Sequence, residues 1–558
     1  MKPYMQDCYS KALKIFLIIS TLFSGLYYEP LSCIAVLFLI ISLCHCIKHT
    51  HKLNVPCNAT FFATVTIIIF YGISILWAVD KGMAVFGWAK FLPLPLFLLT
   101  ITQVSKNKRT ELLQLIPWIG VGTTLLTILL SFFQKTAPYV LVNERLSGTF
   151  QYPNTFALFL LIGIVLLAAE PHKGNYWIAG IAVLLTGIAF SGSRTVFVLL
   201  VLSILLLCIL SKEKQVRFVL IGLGLLLILS TVIYTAVTSD ISSVSRYLTI
   251  SVQSSTLQGR LLYWQDALPV ILRHPFGLGY MGYHSLLGSF QTGVYSLTHV
   301  HNEVLQLLLD IGWISGLFFL YMIIRGIFSK ATDFQSKICI SIIFLHSLMD
   351  FDLQFPIIWF ILLLCLTEDT AIKTIQLRKG TLPVFAVVGC ISVYFGVVSG
   401  AYYTGNVALS AKLYPKYTQA NAVLLQCAET PKEMNVYADR MLAVNQLSSL
   451  AWSAKARAAY ANGNFEQMIQ YKERAISLAR YSKEEYLDYF EMLWIGYQLY
   501  TQNGDTASAE VCRQKLLAIP KMMEAVLNST SERAWKIKDI QELFLPNEYL
   551  SVLQSLHE

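Results

Sequence analysis

Residues 298–316 read THVHNEVLQLLLDIGWISG and mark the place where a long polar loop enters a long apolar helix. His301 and Asn302 stand at the start of that helix, where a membrane span leaves the water. A histidine titrates near neutral pH and is therefore a ready proton acceptor. The stretch predicts a membrane helix with a candidate base at its mouth.

Composition extends this prediction to the whole chain. Of the 558 residues, 55% are hydrophobic and 13% are charged, and the mean hydropathy is +0.58. Apolar runs long enough to cross a bilayer recur between residues 12 and 403, whereas charged residues return every few positions after residue 404. We therefore expect an all-α protein with a polytopic membrane domain of about 12 to 13 spans over 1–403 and a soluble helical domain over 404–558. The predicted spans are 12–29, 31–47, 60–79, 83–102, 112–133, 155–169, 176–190, 194–210, 216–237, 303–325, a broken pair at 337–350 and 354–367, and 384–403.

Basic residues predict the orientation of these spans. The net charge of +9 is concentrated in short loops, so it indicates membrane topology and not nucleic-acid binding. The long loop 238–302 and the C-terminal domain fall on the opposite side, which the positive-inside rule makes extracytoplasmic. Merging 337–367 into one span would move the C-terminal domain to the cytoplasm, but Pro356 and the polar run MDFDLQF favour a broken pair. The basic clusters on the predicted cytoplasmic side are Lys2/Lys11/Lys14, Lys48/Lys52, Lys106/Lys108/Arg109, Lys212/Lys214/Arg217, Arg325/Lys330/Lys337 and Lys373/Arg378/Lys379.

The C-terminal domain contains a repeated pattern. Residues 452–476, WSAKARAAYANGNFEQMIQYKERAI, combine small residues, an NGN turn and a closing Ala-Ile pair, as tetratricopeptide helix pairs do. A weaker copy surrounds Gly504, which follows Gly463 by 41 residues where a strict repeat has about 34. We predict at least two tetratricopeptide-like helix pairs that hold a partner or steady the membrane domain, with an ordinary helical bundle as the alternative.

Three arginines on the predicted outer side are candidate anion ligands. Arg194 opens a span directly after Ser-Gly-Ser, so its guanidinium and the N-terminus of the helix face the same point. Arg260 lies in the long loop, beside a stretch from 261 to 272 that can form an amphipathic helix on the bilayer surface. Arg145 precedes Asn154, which we interpret as part of a helix start. For Arg145 and Arg260, contact with phospholipid headgroups is the simpler alternative.

Other acidic and histidine side chains nearby allow alternative interpretations. His299, His301 and Glu303 suggest a metal at first sight, but a His-x-His pair shares a face only in a strand, and this stretch runs into a helix. We therefore expect no metal site. The Asp350-x-Asp352 pair would suit a metal-nucleotide glycosyltransferase, but its place in a helix break on the outer side favours helix capping.

What remains is a set of arginines and one histidine at the mouth of a membrane bundle. Arginines can neutralise a diphosphate leaving group, and a neutral histidine can take the proton of a hydroxyl. This combination suits glycosyl transfer from a polyprenyl diphosphate. A transporter or flippase would instead carry ionisable residues deep in its spans, and the sequence shows few of them.

The membrane region resembles the O-antigen ligase and polymerase superfamily of bacterial envelope glycosyltransferases. The resemblance covers about residues 60–370 and rests on five stretches in the same order: RLSGTFQYPNTFA, SGSR, GRLLYW with HPFGLG, HNEVLQLLLDIGWISG and HSLMDFDLQFP. It implies a multi-pass protein of the bacterial inner membrane that moves a glycan from undecaprenyl diphosphate to a hydroxyl, without metal, nucleotide or other cofactor. The implied acceptor is a lipid A core, an exported protein or a growing glycan chain.

The resemblance also implies roles for individual residues. His301 matches the base that activates the acceptor hydroxyl. The residues expected to bind the diphosphate or to support the site are Arg194, Arg260, Arg145, Asn302 and Trp264. Two positions depart from the ligase pattern, because Ser315 replaces the second glycine of Gly-x-x-Gly and Trp264 replaces the leucine of Arg-x-x-x-Leu. The helical C-terminal domain departs further and resembles the outer domains of protein O-oligosaccharyltransferases.

We therefore predict an O-antigen-ligase-like transferase that acts on the extracytoplasmic face. An O-antigen or polysaccharide chain polymerase is the alternative within the same superfamily. A transporter or flippase is the alternative from another class of protein.

Overall fold

The computed structural model describes residues 3–168, 176–210, 217–222, 224–225, 255–366, 372–376, 382–537 and 543–556. Most of the predicted span 216–237 and the first part of the loop 238–302 lie outside the described residues. So do the basic residues Lys2, Lys212, Lys214, Arg378 and Lys379. In the part of the chain that the structure describes, the fold is helical, as predicted, with two short β-ribbons as its only sheets. One ribbon pairs β1 (Lys52–Pro56) with β4 (Ile372–Gln376), and the other pairs β2 (Leu141–Val142) with β3 (Arg145–Leu146).

The helices of the membrane domain form two groups, before and after residues 226–254. The first group comprises α1 (Pro3–Leu22), α2 (Glu29–Thr50), α3 (Ala59–Ser74), α4 (Lys81–Phe91), α5 (Pro93–Ile101), α6 (Lys106–Ser131), α7 (Ala137–Val140), α8 (Pro153–Ala168), α9 (Tyr176–Ser191) and α10 (Arg194–Leu210). The second comprises α11 (Ser255–Arg273), α12 (Gly282–Phe290), α13 (Glu303–Phe328), α14 (Phe334–Ser347), α15 (Pro356–Cys365) and α16 (Leu382–Tyr403).

Five helical stretches among the described residues are long and apolar enough to cross a membrane. They are Glu29–Thr50, Lys81–Ile101, Lys106–Ser131, Glu303–Phe328 and Pro383–Tyr403. Other apolar helices, including α8, α9 and α10, have 10–17 residues, and a bilayer core requires about 20 for a perpendicular crossing. The predicted total of about 12 to 13 spans therefore stays a prediction.

Loop contacts gather the basic segments at one end of the bundle. The strand β1 (Lys52–Pro56) pairs antiparallel with β4 (Ile372–Gln376), so the chain that leaves α2 meets the chain that precedes α16. Gln103, after α5, bonds to both the backbone N–H and the carbonyl of Asn54. Lys14 of α1 forms an ion pair with Glu111 of α6 at 2.7 Å. The helix break predicted between residues 350 and 354 is also present, between α14 and α15.

The motif HPFGLG packs against the backbone of α13 at the opposite end. The N–H groups of Leu278 and Gly279 donate to the carbonyls of Leu309 and Asp310, and the N–H of Trp313 donates to Pro275. These bonds require α13 to open at Gly312, whose φ of +79° and ψ of −177° are accessible essentially only to glycine. This conformation allows the HPFGLG motif and α13, which are distant in the sequence, to form backbone hydrogen bonds with each other.

The C-terminal region is built of helix pairs. Its helices are α17 (Val407–Leu413), α18 (Thr418–Gln426), α19 (Pro431–Leu442), α20 (Ser449–Ala461), α21 (Phe465–Leu478), α22 (Lys483–Gln502), α23 (Thr506–Asn528), α24 (Glu532–Ile537) and α25 (Asn547–Ser555). The turns at Gly463 and Gly504 both have positive φ, and Asn464 and Asp505 cap the helices that follow. Helix pairs thus occupy both positions of the predicted repeat. Their assignment to the tetratricopeptide class stays a prediction.

Polar contacts join the C-terminal helices to the end of the membrane domain that carries HPFGLG. The buried carboxylate of Asp80 accepts hydrogen bonds from Thr418 and Asn445, at 2.9 and 3.2 Å. Arg533 of α24 donates to Gln258 of α11 at 2.6 Å. The C-terminal region therefore lies at the end of the bundle opposite the β1–β4 ribbon.

The backbone of Gly312 provides a test of this packing. A Cβ at position 312 would lie 2.4 Å from the carbonyl oxygen of Pro275, and it would also require a strained φ. We expect Gly312→Ala to destabilise the protein by about 1–3 kcal/mol, measured as a lower Tm in detergent. Gly122→Ala in α6 is the matched control, because a Cβ there meets nothing within 4 Å. Equal Tm values for the two variants would contradict the proposed constraint.

Candidate functional site

A single buried carboxylate, that of Asp350, joins residues from four parts of the chain. Its Oδ1 accepts hydrogen bonds from the hydroxyl of Tyr152, at 2.6 Å, and from Nδ1 of His301, at 3.1 Å. Its Oδ2 accepts from Nδ2 of Asn154, at 2.7 Å, and from Nη2 of Arg260, at 3.0 Å. The side chain of Asp350 is 2% exposed, whereas that of His301 is 22% exposed. The carboxylate is thus an internal anchor, and the histidine reaches the surface of the site.

Helix ends bring these groups together. Asp350 lies in the break between α14 and α15, and Tyr152 and Asn154 flank the first residue of α8. Arg260 occupies the second turn of α11, and His301 comes two residues before α13. Helix ends leave backbone groups unpaired and are therefore natural places for polar side chains to gather. The site is consequently assembled at the end of the bundle that carries the HPFGLG loop.

The backbone around His301 is held in an uncommon conformation. His301 itself has a φ of +53°, which is rare for a residue with a side chain. Asn302 caps α13 by accepting from the N–H of Leu305, and its Nδ2 donates to the carbonyl of Leu348 at 2.9 Å. On the other side, the indole of Trp264 donates to the carbonyl of Val300 at 3.2 Å. Asn302 and Trp264, both expected to support the site, thus hold the residues on either side of His301.

The indole also explains one departure from the ligase pattern. A leucine at position 264 could not donate a hydrogen bond to Val300, whereas tryptophan does. The replacement therefore adds a polar contact next to His301. The hydroxyl of Ser315, the other departure, is buried without a hydrogen-bond partner among the described residues.

The contact with Asp350 fixes the roles of the two ring nitrogens of His301. A carboxylate only accepts hydrogen bonds, so Nδ1 carries the hydrogen and Nε2 of the neutral ring keeps its lone pair. Burial raises the pKa of Asp350, but the hydrogen bond from His301 and the positive charge of Arg260 outweigh it and hold that pKa well below its usual range. Asp350 is therefore an anion at neutral pH and orients the ring of His301, the candidate base.

The remaining arginines belong to the same cluster. Arg145 donates from Nη2 to Oδ1 of Asn154 and from Nε to the carbonyl of Ser191, both at 2.6 Å. Arg194, three residues after Ser191, donates to the hydroxyl of Thr256 at 3.1 Å. Thr256 and Arg260 are four residues apart on α11 and so share a face. The structure thus brings together all three arginines predicted from the sequence.

The capping interpretation of Asp350 and Asp352 is wrong. Helix α15 begins after Phe355, and no side chain caps it. Asp350 instead bonds with the candidate base, while Asp352 accepts from Thr155 at 2.7 Å and lies 2.5 Å from Nδ1 of His346. Asn154, interpreted as part of a helix start, also bridges Arg145 and Asp350. Only the motif HSLMDFDLQFP, which contains both aspartates, marked this break in the sequence as unusual.

The two histidines of the His-x-His pair point to different partners. Nε2 of His299 lies 3.4 Å from the hydroxyl of Tyr27, while His301 contacts Asp350. Burial, followed by the charge of Lys90, lowers the pKa of His299 well below its usual value. Glu303 accepts a hydrogen bond from the backbone N–H of Gln354 at 3.2 Å. Among the described residues, no three or more His, Cys, Asp or Glu side chains are grouped as metal ligands.

Four ionisable side chains are buried within or at the ends of the predicted spans. Glu29, Lys90, Glu303 and Asp310 are each no more than 5% exposed. The ammonium of Lys90 lies 4.4 Å from the ring centroid of Tyr27. Gln306 connects this group to the loop that carries His301. Its side chain accepts a hydrogen bond from the backbone N–H of Val300 and donates one to the carboxylate of Asp310.

Comparison with known families gives one match within the chain. Residues 179–320 match a family model described as O-antigen ligase, Wzy_C. Residues 179–320 are thus similar to an O-antigen ligase domain, which supports the O-antigen ligase superfamily. The matched range includes Arg194, Arg260 and His301, while Arg145 and Asp350 lie outside it. The domain supports a ligase- or polymerase-type function and, with the apolar helices, indicates a multi-pass protein of the inner membrane. A comparison with curated proteins found no matching relative.

The charge of Asp350 can be tested by stability measurements across pH. An unfolded aspartate has a pKa of about 3.9, and the folded value is lower. The stabilisation is therefore complete above about pH 4–5 and is lost as the pH falls toward the folded value. We expect Asp350→Asn to lower the Tm at pH 7 and the difference from the unmodified protein to narrow below about pH 4. A difference that stays constant down to pH 3 would contradict a role for the carboxylate charge.

Proposed function

We propose that this protein transfers a glycan from a polyprenyl diphosphate to an acceptor hydroxyl. The proposed reaction takes place at the end of the membrane domain where His301 and the arginines meet, which the positive-inside rule makes extracytoplasmic. The observation that carries the proposal is the carboxylate of Asp350, which contacts both the candidate base and one candidate anion ligand. It couples the two functions that such a transfer requires.

The proposed step begins at His301. Nε2 accepts the proton of the acceptor hydroxyl as the oxygen attacks the anomeric carbon of the donor glycan. The new carbon–oxygen bond forms while the bond from that carbon to the diphosphate oxygen breaks. The proton resides on His301, next to the anionic Asp350, and the electron pair leaves with the polyprenyl diphosphate. Asp350 stabilises the resulting imidazolium as it orients the neutral ring.

The arginines supply the other half of the step. Charge develops on the diphosphate as the bond to the sugar breaks, and guanidinium groups stabilise phosphate oxygens with charge-assisted hydrogen bonds. Arg194 opens α10, so the N-terminal end of that helix adds a favourable partial charge at the same place. Arg260 links the base and the diphosphate site, because it contacts Asp350 and lies one helical turn from Thr256, the hydrogen-bond partner of Arg194. Arg145 contributes by fixing Asn154 and Ser191.

The identity of the acceptor distinguishes the reactions catalysed within the superfamily. A lipid A core, an exported protein and the end of a growing glycan chain all present a hydroxyl to the same base. The C-terminal helices pack against α11 through Arg533 and Gln258, so they lie next to the proposed site. We propose that they hold the acceptor or position α11. Glycan analysis of a deletion strain distinguishes the acceptors by which product loses its glycan.

The role of the base can be tested with reconstituted protein and an undecaprenyl-diphosphate glycan. We expect His301→Ala to lower kcat by about 10²–10⁴-fold, because general-base catalysis contributes that much. His274→Ala is the matched control, since His274 is exposed in the turn after α11. Both variants should insert into membranes normally. Undiminished transfer by His301→Ala would remove the base assignment.

The diphosphate role can be tested separately at Arg194. Loss of a hydrogen bond to a charged group costs about 1.5–3 kcal/mol, so we expect Arg194→Gln to lower kcat/KM for the donor by about 10- to 100-fold. The KM for the acceptor should not change. Arg273→Gln provides a control for the loss of one positive charge, because Arg273 is an exposed residue at the end of α11. A similar loss in both variants would indicate general surface electrostatics and contradict a specific contact.

A further inference from the structure

We propose that a polar cavity between the membrane domain and the C-terminal helices binds an uncharged sugar residue. This inference rests on the proposed function and adds to it a place that holds the glycan of the donor or of the acceptor. The cavity has a volume of about 310 Å³ and lies between α4, α12 and the C-terminal helices α18 to α21. Most of its lining residues belong to the C-terminal helices, so the membrane domain alone would present an open surface there.

The carboxylate of Asp80 fixes the walls of the cavity relative to one another. It accepts hydrogen bonds from the backbone N–H of Met83 and the hydroxyl of Thr418, both at 2.9 Å. It also accepts from Nδ2 of Asn445 at 3.2 Å, and the same Nδ2 donates to Oγ of Ser285 at 3.1 Å. These bonds join α4, α12 and the C-terminal region. A site held in this way loses little freedom when a ligand binds.

Three lining side chains keep hydrogen-bonding groups that a ligand can use. Nδ1 of His284 donates to the carbonyl of Leu297 at 2.8 Å, so Nε2 of the neutral ring is an acceptor. Ser448 caps α20 with its oxygen, which leaves its hydroxyl hydrogen to donate. Oε1 of Gln419 accepts from a tyrosine hydroxyl, whereas its Nε2 has no partner among the described residues. The cavity thus offers both donors and acceptors, as a hydroxyl-bearing ligand requires.

The remaining lining narrows the class of ligand. Among the described residues that line the cavity, none is Lys or Arg, and the carboxylate of Asp80 would repel a phosphate or an acidic sugar. The flexible thioethers of Met83, Met281 and Met441 supply apolar contacts that adapt to the shape of a ligand. The volume is near the lower end of the range of about 300–1,000 Å³ for ligand sites, which favours a compact molecule. An uncharged sugar has hydroxyls at its edge and C–H groups on its faces, whereas a lipid tail would leave the polar lining unpaired.

The cavity is close to the candidate base. Leu297, which accepts from His284 on the cavity wall, precedes His301 by four residues. Four residues of chain span at most about 14 Å. A glycan with one sugar in the cavity can therefore extend a neighbouring sugar toward Nε2 of His301.

Two glutamines of α18 allow a matched test. Gln419 lines the cavity, whereas Gln426 lies exposed at the other end of the same helix and outside the lining. Gln419→Trp therefore fills part of the cavity, and Gln426→Trp adds the same side chain to the same helix without entering it.

The probe is the oligosaccharide that mild acid releases from the undecaprenyl-diphosphate glycan, titrated by calorimetry into full-length protein in detergent. We expect Gln419→Trp to weaken binding of this probe roughly 10-fold or more, because the added ring displaces the sugar from several hydrogen bonds. Gln426→Trp should bind it as the unmodified protein does. Equal binding by the two variants, or no binding by the unmodified protein, would overturn the proposal.

A smaller substitution keeps the test decisive if Gln419→Trp lowers the Tm. Gln419→Ala removes one donor without adding bulk, and it should weaken probe binding about 2- to 10-fold, as expected for one hydrogen bond between uncharged groups. Gln426→Ala should have no effect. Equal binding by these two variants would also contradict the proposal.

Transfer kinetics identify which glycan occupies the cavity. With kcat unchanged, a higher KM of Gln419→Ala for the undecaprenyl-diphosphate glycan alone assigns the sugar to the donor, and a higher KM for the acceptor alone assigns it to the acceptor. Unchanged KM values for both would overturn the proposal, as would displacement of the probe by an acceptor peptide that carries no sugar. If the unmodified protein binds the probe at this cavity but transfers no glycan, the proposed function fails while the sugar site stands.

Discussion

The buried carboxylate of Asp350 is the interaction on which the arrangement of the site depends. An ionised carboxylate without partners would be very costly inside a membrane protein, so its four side-chain donors are required for folding as much as for chemistry. Those donors come from the start of α8, from α11 and from the residue before the α13 cap. The same anion therefore fixes the relative positions of three helices and the tautomer of one histidine. Removing it would leave Arg260 without its charge partner, so structure and reactivity are linked at this point.

The sequence was sufficient to predict those site residues that can be recognised from their immediate neighbours in the chain. His301 and Asn302 were identifiable because a polar pair at the start of an apolar helix is unusual, and Arg194 because it opens a span after small residues. The helical fold followed from apolar runs, and the break before Pro356 from polar residues within one. The family resemblance then connected these positions to a proposed reaction, and the match over residues 179–320 supports the superfamily.

The partners of Asp350 could not be found in this way. They lie 49 residues away at His301, 90 at Arg260 and 196 at Asn154, and only helix packing brings them together. Considered locally, an aspartate in a helix break resembles a cap, which is why the capping interpretation failed. The burial of Lys90 and Asp310 was not predicted, for a related reason. One charge within a long apolar run hardly changes its average hydropathy, although it changes the polarity of the interior decisively.

The β1–β4 ribbon has a consequence for how the chain is inserted. Asn54 and Thr374 are 320 residues apart, and they meet only if both strands emerge on the same side of the bilayer. The chain between them must therefore cross the membrane an even number of times. An insertion error that adds or omits one crossing would leave the two strands on opposite sides and unable to pair. The ribbon can thus form only when the number of crossings between its strands is even. It can form only after nearly all of the membrane domain has been synthesised.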